Sequence, residues 1–167
     1  MADADDNCGN ADGRNGTREP PIFLEAGVQD SETGNSMSRD ELCAIYRDYI
    51  DCLNSQDWDR LGLFVDDAVE YGGVAVGLAG YRGMLERDFL AIPDLRFAIE
   101  LLISDPPYIA SRLHFDCTPR DMLFDLPVNG KRIRFAENVF YEFSARRIWK
   151  VWSIIDKAAI AQQIRAV

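Results

Sequence analysis

The sequence has a single histidine, His114, and no Cys-x-x-Cys pair among its four cysteines, Cys8, Cys43, Cys52 and Cys117. A structural zinc site needs about four clustered Cys or His ligands, so no metal is expected and the thiols read as reduced and mostly buried. No apolar run approaches the ~20 residues of a membrane-spanning helix. Positive charge is also short: 18 Lys and Arg stand against 28 Asp and Glu, for a net charge of −10. Nucleic acids and anionic lipid surfaces attract a positive field, so neither is an expected partner. The opening MADADDNCGN is acidic and has no apolar core, which speaks against a secretory signal, and a cytoplasmic location is expected. Also missing are a GxSxG elbow, a P-loop and a GxGxxG after a strand.

What is present fits one domain: 167 residues, 47% of them hydrophobic. Charge divides the chain. Residues 1–37 hold eight acids and two bases, so this stretch carries −6 of the −10. Its one apolar island is Ile22–Phe23–Leu24, too little to offset ordering entropy, and residues 1–37 read as an acidic disordered leader. The domain proper is expected over 38–167.

Ser38-Arg39-Asp40-Glu41 has capping-box spacing, and Leu42, Ile45, Tyr46, Tyr49, Ile50 and Leu53 then recur at helical intervals. A second short helix is expected near Asp57, carrying Trp58, Leu61, Phe64 and Val65 inward. Val69–Val76 reads as a strand holding Gly72 and Gly73, and Leu78–Ile92 as a helix ended by Pro93. Four strands are then expected at Leu95–Leu102, Tyr108–Cys117, Lys131–Phe143 and Arg147–Ile155, with a closing helix over Lys157–Arg165. The order argues for α+β, with helices packed on one face of a curved, largely antiparallel sheet.

Alternation along the strands singles out polar groups. Ile133, Phe135, Glu137, Val139, Tyr141 and Phe143 share a face on which Glu137 is the one carboxyl. A carboxylate there is desolvated, which suits acid/base work, although a Glu paired with an Arg at a sheet edge has the same pattern. Arg112, His114 and Asp116 form a polar row on a second strand, either a proton-relay set that meets Glu137 or a solvated face. Asp156 ends the last strand, at a cavity mouth or as the N-cap of the closing helix. Pro119–Val128 reads as a long loop or lid.

Four stretches carry a family resemblance: GLAGYRGMLERDFLAIPDLRF (Gly77–Phe97), ASRLHFDCTP (Ala110–Pro119), LPVNGKRIRFAENVFYEF (Leu126–Phe143) and VWSIIDKAAIAQQI (Val151–Ile164). The helix-ending Ile92–Phe97 and the Pro-x-x-Gly turn at Pro127–Gly130 are its most specific parts. Residues ~38–165 resemble the SnoaL-like polyketide (ester) cyclases of the nuclear-transport-factor-2-like superfamily. The resemblance implies a cone-shaped α+β barrel around a deep apolar pocket. It also implies ring closure by intramolecular aldol chemistry with a pocket acid/base and no metal or cofactor. The family's acid/base Asp falls near Ser153, which cannot replace it. Asp156 matches a second Asp of the pattern, Glu137 a polar pocket-lining position, and Tyr71 a pocket position that is usually Asn or His. His114 and Asp116 lie on the strand that resembles the Arg/Asp-bearing strand of limonene epoxide hydrolases.

The leading expectation is therefore a cyclase or isomerase acting on a hydrophobic polyketide- or terpenoid-like carbonyl compound. Glu137 would be the base, with His114, Asp116 and Asp156 as further acid/base candidates. Tyr71, Arg112, Trp152, Ser153 and Tyr141 would bind substrate, with Trp152 and Phe140 read as core or pocket wall. A non-catalytic binding module and an epoxide-hydrolase-like enzyme stand as alternatives, separated by whether Glu137, His114 and Asp116 converge in one enclosed pocket. A homodimer is expected through the outer face of the sheet, with Phe140 as a contact.

Overall fold

The computed structural model describes residues 37–165. The expected leader therefore lies almost wholly outside the described residues, as does Cys8.

Helix α1 (Arg39–Asn54) begins at the capping box that the sequence specifies. The Ser38 hydroxyl accepts from the Glu41 amide at 3.2 Å, and the Glu41 carboxylate accepts from the Ser38 amide at 2.9 Å. Its apolar face buries Leu42, Tyr46, Tyr49, Ile50 and Leu53. The Asn54 side chain then clamps the start of the sheet, donating to the Phe97 carbonyl at 2.9 Å and accepting from the Phe97 amide at 2.8 Å. That clamp fixes the position of Phe97, an aromatic of the cavity described below.

The expected second short helix is a 3₁₀ helix over Trp58–Leu63, with Asp57 at its N-terminus. Val65 does not continue it but opens strand β1 (Val65–Tyr71). Gly72 and Gly73, read from sequence as interior to one strand, are instead a two-residue hairpin turn to β2 (Val74–Ala75). Both have positive φ, 59° and 82°, which such turns require and glycine supplies without strain. Helix α2 (Gly77–Ala91) follows. Then come β3 (Ala98–Asp105), β4 (Tyr108–Cys117), a small hairpin of β5 (Met122–Leu123) and β6 (Leu126–Pro127), β7 (Ile133–Ser144), β8 (Arg147–Ile155) and α3 (Lys157–Arg165).

The main sheet has strand order β2-β1-β8-β7-β4-β3 and is antiparallel except at β1–β8, which run parallel. Register shifts in β1–β8, β3–β4 and β7–β8 mark bulges, which bend and twist a sheet. The curled sheet turns one face towards α1 and α2. Val69, Leu113, Val139, Tyr141 and Val151 are buried on that side. Helix α3 docks along β7, where the Gln163 side chain bonds both the amide and the carbonyl of Arg134. The mixed α+β architecture with a curled antiparallel sheet is the one expected from the sequence.

Candidate active site

The inward residues of β7 alternate as Ile133, Phe135, Glu137, Val139, Tyr141 and Phe143, so Glu137 stands on the concave face among apolar neighbours. Its cross-strand partners are Leu113 on β4 and Ile155 on β8. Ser153, two residues back along β8, faces the same way, and its hydroxyl donates to the Glu137 carboxylate.

Glu137 lies where two cavities meet. The larger, about 230 Å³, is walled by Phe97, Phe115, Phe124, Phe135 and Ile155. The smaller, about 70 Å³, is walled by Tyr49, Tyr81, Tyr141, Leu113 and Val151. Tyr71, Met84, Asp88, Phe97 and Glu137 line both. One apolar, aromatic compartment thus opens inward onto a compartment with phenol groups. The aromatic wall is ordered: Phe115 stacks on Phe135 at 4.9 Å between centroids, and Phe97 meets Phe115 edge-on at 5.4 Å.

The electrostatics follow from burial. Desolvation pushes the Glu137 carboxyl above its ordinary range, the Ser153 hydrogen bond opposes the shift, and the Asp88 carboxylate adds to it. Asp88 is exposed as a residue, in the manner of a group at a cavity mouth, yet the surrounding protein pushes its carboxyl up to about 6, with Arg87 opposing. Burial raises the Tyr71 phenol; the nearby Ser153 hydroxyl works against that shift, and the Glu137 and Asp88 carboxylates reinforce it. Deeper in, the Tyr49 and Tyr81 hydroxyls share a hydrogen bond of 2.7 Å, and burial holds both phenols protonated. Tyr46 and Ser111 hold buried oxygens that find no hydrogen-bond partner among the described residues.

Tyr71, Ser153, Tyr141 and Glu137 thus come together. Arg112, His114 and Asp116 do not join them, and the expectation that this row meets Glu137 is corrected. Directly paired residues of neighbouring strands share a face, and Glu137 pairs with Leu113 while His114 pairs with Ala136. The row therefore lies on the outer face. Asp116 is held between Arg132 at 2.7 Å and Arg134 at 3.1 Å, and those hydrogen bonds, Arg132's first, lower its carboxyl. Arg112 bonds Glu100 and Asn138, both at 3.1 Å. An Asp–Arg–Asp set of the epoxide-hydrolase kind is not assembled in the cavity by these residues. Trp152 is also outward, opposite Phe140, so it is not a cavity wall. Asp156 caps α3, accepting from the Ala159 amide at 2.9 Å.

Four titratable cavity residues are not among the site residues expected from the sequence: Asp88, Arg87, Tyr49 and Tyr81. Asp88 was legible in principle, since it lies seven residues from Tyr81 and four from Met84, on the inward stripe of α2. A carboxyl at a stripe position is the helical counterpart of Glu137 on its strand. Among the described residues no group of three or more His, Cys, Asp or Glu is placed to hold a metal ion. No helix among them is long and apolar enough to cross a membrane.

Comparison with known proteins extends the geometry. The family model described as SnoaL-like polyketide cyclase matches residues 44–164. A crystal structure of a SnoaL-like polyketide cyclase from Agrobacterium tumefaciens is 54% identical, with a TM-score of 0.73, over 74% of this chain and 97% of that one. TsrD from Streptomyces laurentii shares the fold at 17% identity, with a TM-score of 0.68, over 78% of this chain and 98% of that one. IdmH from Streptomyces antibioticus does so at 15% identity and a TM-score of 0.65, over 74% and 98%. No curated protein matches. A family match across most of the chain, together with a relative more than half identical over nearly its whole length, makes this chain a member of the SnoaL-like polyketide cyclase family.

Proposed function

We propose that this chain is a cofactor-independent cyclase or isomerase that acts by acid/base chemistry on a hydrophobic, polyketide- or terpenoid-like carbonyl compound. The observation that carries the reading is a raised, hydrogen-bonded carboxyl, Glu137, on an apolar face inside an aromatic cavity. The Glu137 carboxylate takes a proton from the carbon next to a carbonyl. The electron pair of that C–H bond enters the enolate, and the Tyr71 hydroxyl donates to the developing oxyanion. Phe97, Phe115 and Phe135 suit a flat, unsaturated body. Ser153 stands near where the family resemblance calls for a carboxylate, and its hydroxyl touches one supplied by the neighbouring strand. In this reading the charge has moved from β8 to β7 and stayed in the same part of the cavity.

A hydrophobic aryl diketone, 1-phenylhexane-1,5-dione, tests it. Incubated in D₂O, its hydrogens next to the methyl ketone are expected to exchange faster with protein than in buffer. Glu137→Gln is expected to lower that acceleration ~100-fold or more, the scale of general-base catalysis. Equal exchange with wild type and Glu137→Gln contradicts the assignment. A non-catalytic binding module would bind the diketone and leave exchange at the buffer rate.

The reading includes a homodimer through the outer face. Leu101, Ile103, Phe140, Trp152 and Ile154 are exposed there. Cross-strand pairing sets Ile103, Ala110, Phe140 and Trp152 in one row across four strands. Charges of both signs flank this row, including Arg112 with Glu100 and Lys150 with Glu142, which suits a self-complementary two-fold contact. Sedimentation of wild type and Phe140→Glu tests it: a dimer that becomes a monomer supports the contact, and an unchanged mass contradicts it.

A further inference from the structure

We infer that Asp88 is a second reacting carboxyl of this site, the acid that gives its proton to the substrate oxygen on which charge develops when the ring closes. The inference rests on the base assignment of Glu137. Asp88 follows Tyr81 by seven residues and Met84 by four, so α2 turns it inward with them. It lines both cavities, as do Glu137 on β7 and Tyr71 on β1, so carboxyls from opposite walls face a common space. Among the described residues no side chain donates a hydrogen bond to the Asp88 carboxyl and none forms an ion pair with it. The charged and titratable groups around it are Arg87 on its own helix, Glu137 on β7 and Tyr71 on β1. Burial pushes Asp88 up to about 6, so near neutral pH part of the population keeps its proton. A carboxyl on an inward stripe with no hydrogen-bond or ion-pair partner of its own is free to give its proton to a ligand in the cavity.

The reaction balances without a co-reactant. Glu137 removes a proton from the carbon next to one carbonyl, and the C–H pair becomes the enolate. The enolate carbon bonds to the second carbonyl carbon, and the π pair of that carbonyl moves onto its oxygen. This oxygen takes the proton from Asp88. The product is a cyclic β-hydroxy ketone isomeric with the substrate. Loss of the Glu137 proton to solvent and uptake of one by Asp88 restore the starting state. Two carboxyls in opposite protonation states therefore serve one turnover, and when Asp88 has given up its proton its charge raises the Glu137 carboxyl.

The same diketone separates the two roles. Deuterium exchange reads the base step alone, and conversion to 3-hydroxy-3-phenylcyclohexanone or its dehydrated enone reads both. Glu137→Gln is expected to lower exchange and cyclisation together. Asp88→Asn is expected to lower cyclisation at least tenfold and to raise the ratio of exchange to cyclisation by a similar factor. Asp88→Glu is expected to recover part of the cyclisation. In the absence of substrate, Asp88→Asn is expected to lower the titration midpoint of Glu137, read by carboxyl NMR. An unchanged ratio in Asp88→Asn, or an unmoved Glu137 midpoint, overturns the role of Asp88 and leaves the base assignment standing. Exchange that survives Glu137→Gln, or a wild type that neither exchanges nor cyclises the diketone, overturns the base assignment and the pair with it. Circular dichroism of each variant identifies any that fails to fold.

Discussion

Replacing Ser153 by Asp restores a carboxylate to the strand where the family resemblance calls for one, yet here it is expected to harm the protein. The Ser153 hydroxyl touches the Glu137 carboxylate, so an Asp side chain at this position brings a second carboxylate within about 4 Å. Two like charges at that distance repel by about 4 kcal/mol at an effective dielectric constant of about 20. The protein relieves this by keeping a proton on the pair, and that relief is lost as pH rises. Ser153→Ala is the control, because it removes only a hydrogen bond to a charged group, worth ~1.5–3 kcal/mol. Urea denaturation at several pH values reads the difference. Ser153→Asp is expected to be ~2–4 kcal/mol less stable than Ser153→Ala at pH 8 and close to it at pH 4. A gap that does not change with pH would refute the reasoning, since the two groups would then not share a desolvated site.

Three further outcomes are expected. Gly77 has φ +65°, and a Cβ there would meet the Asp67 carbonyl oxygen at 3.2 Å, so Gly77→Ala is expected to cost about 1–2 kcal/mol in chemical denaturation. Ser38→Ala removes one half of the capping box on α1 and is expected to cost about 1 kcal/mol in the same assay. Asp88 has a raised carboxyl, so its contribution to stability is full below its ordinary pKa of 3.8 and is lost as pH rises through about 6. At face value that loss is ~3 kcal/mol, and discounted for its exposure it is about 1 kcal/mol. Asp88→Asn is expected to gain that much on wild type between pH 4 and pH 7 in a denaturation series, and a constant difference would contradict the origin given for the shift.

The parts of the molecule written in local chemistry were legible. The capping box opens α1, Arg147–Ile155 and Lys157–Arg165 keep the bounds read from their patterns, and strand alternation alone puts Glu137 on an apolar face. What depends on pairing was not. Alternation says that Arg112, His114 and Asp116 share a face, but only the register of β4 on β7 says that it is the outer one. The parallel pairing of β1 with β8 joins segments about 80 residues apart and has no local signature. Gly72 and Gly73 read as interior to one strand, and only the pairing of Tyr71 with Val74 shows that they turn the chain back. Asp88 has no such signature, because a helix stripe is marked by its apolar residues and the carboxyl is the exception among them.

The central claim is that Glu137 is a desolvated carboxyl in a cavity, and its titration tests that most directly. Carboxyl ¹³C NMR on wild type, with Glu137→Gln to assign the signal, gives the midpoint. The account predicts a midpoint above the reference of ~4.3, because burial and the Asp88 carboxylate outweigh the Ser153 hydrogen bond. A midpoint at or below that reference would mean a solvated or ion-paired side chain, and would contradict the acid/base reading of the site.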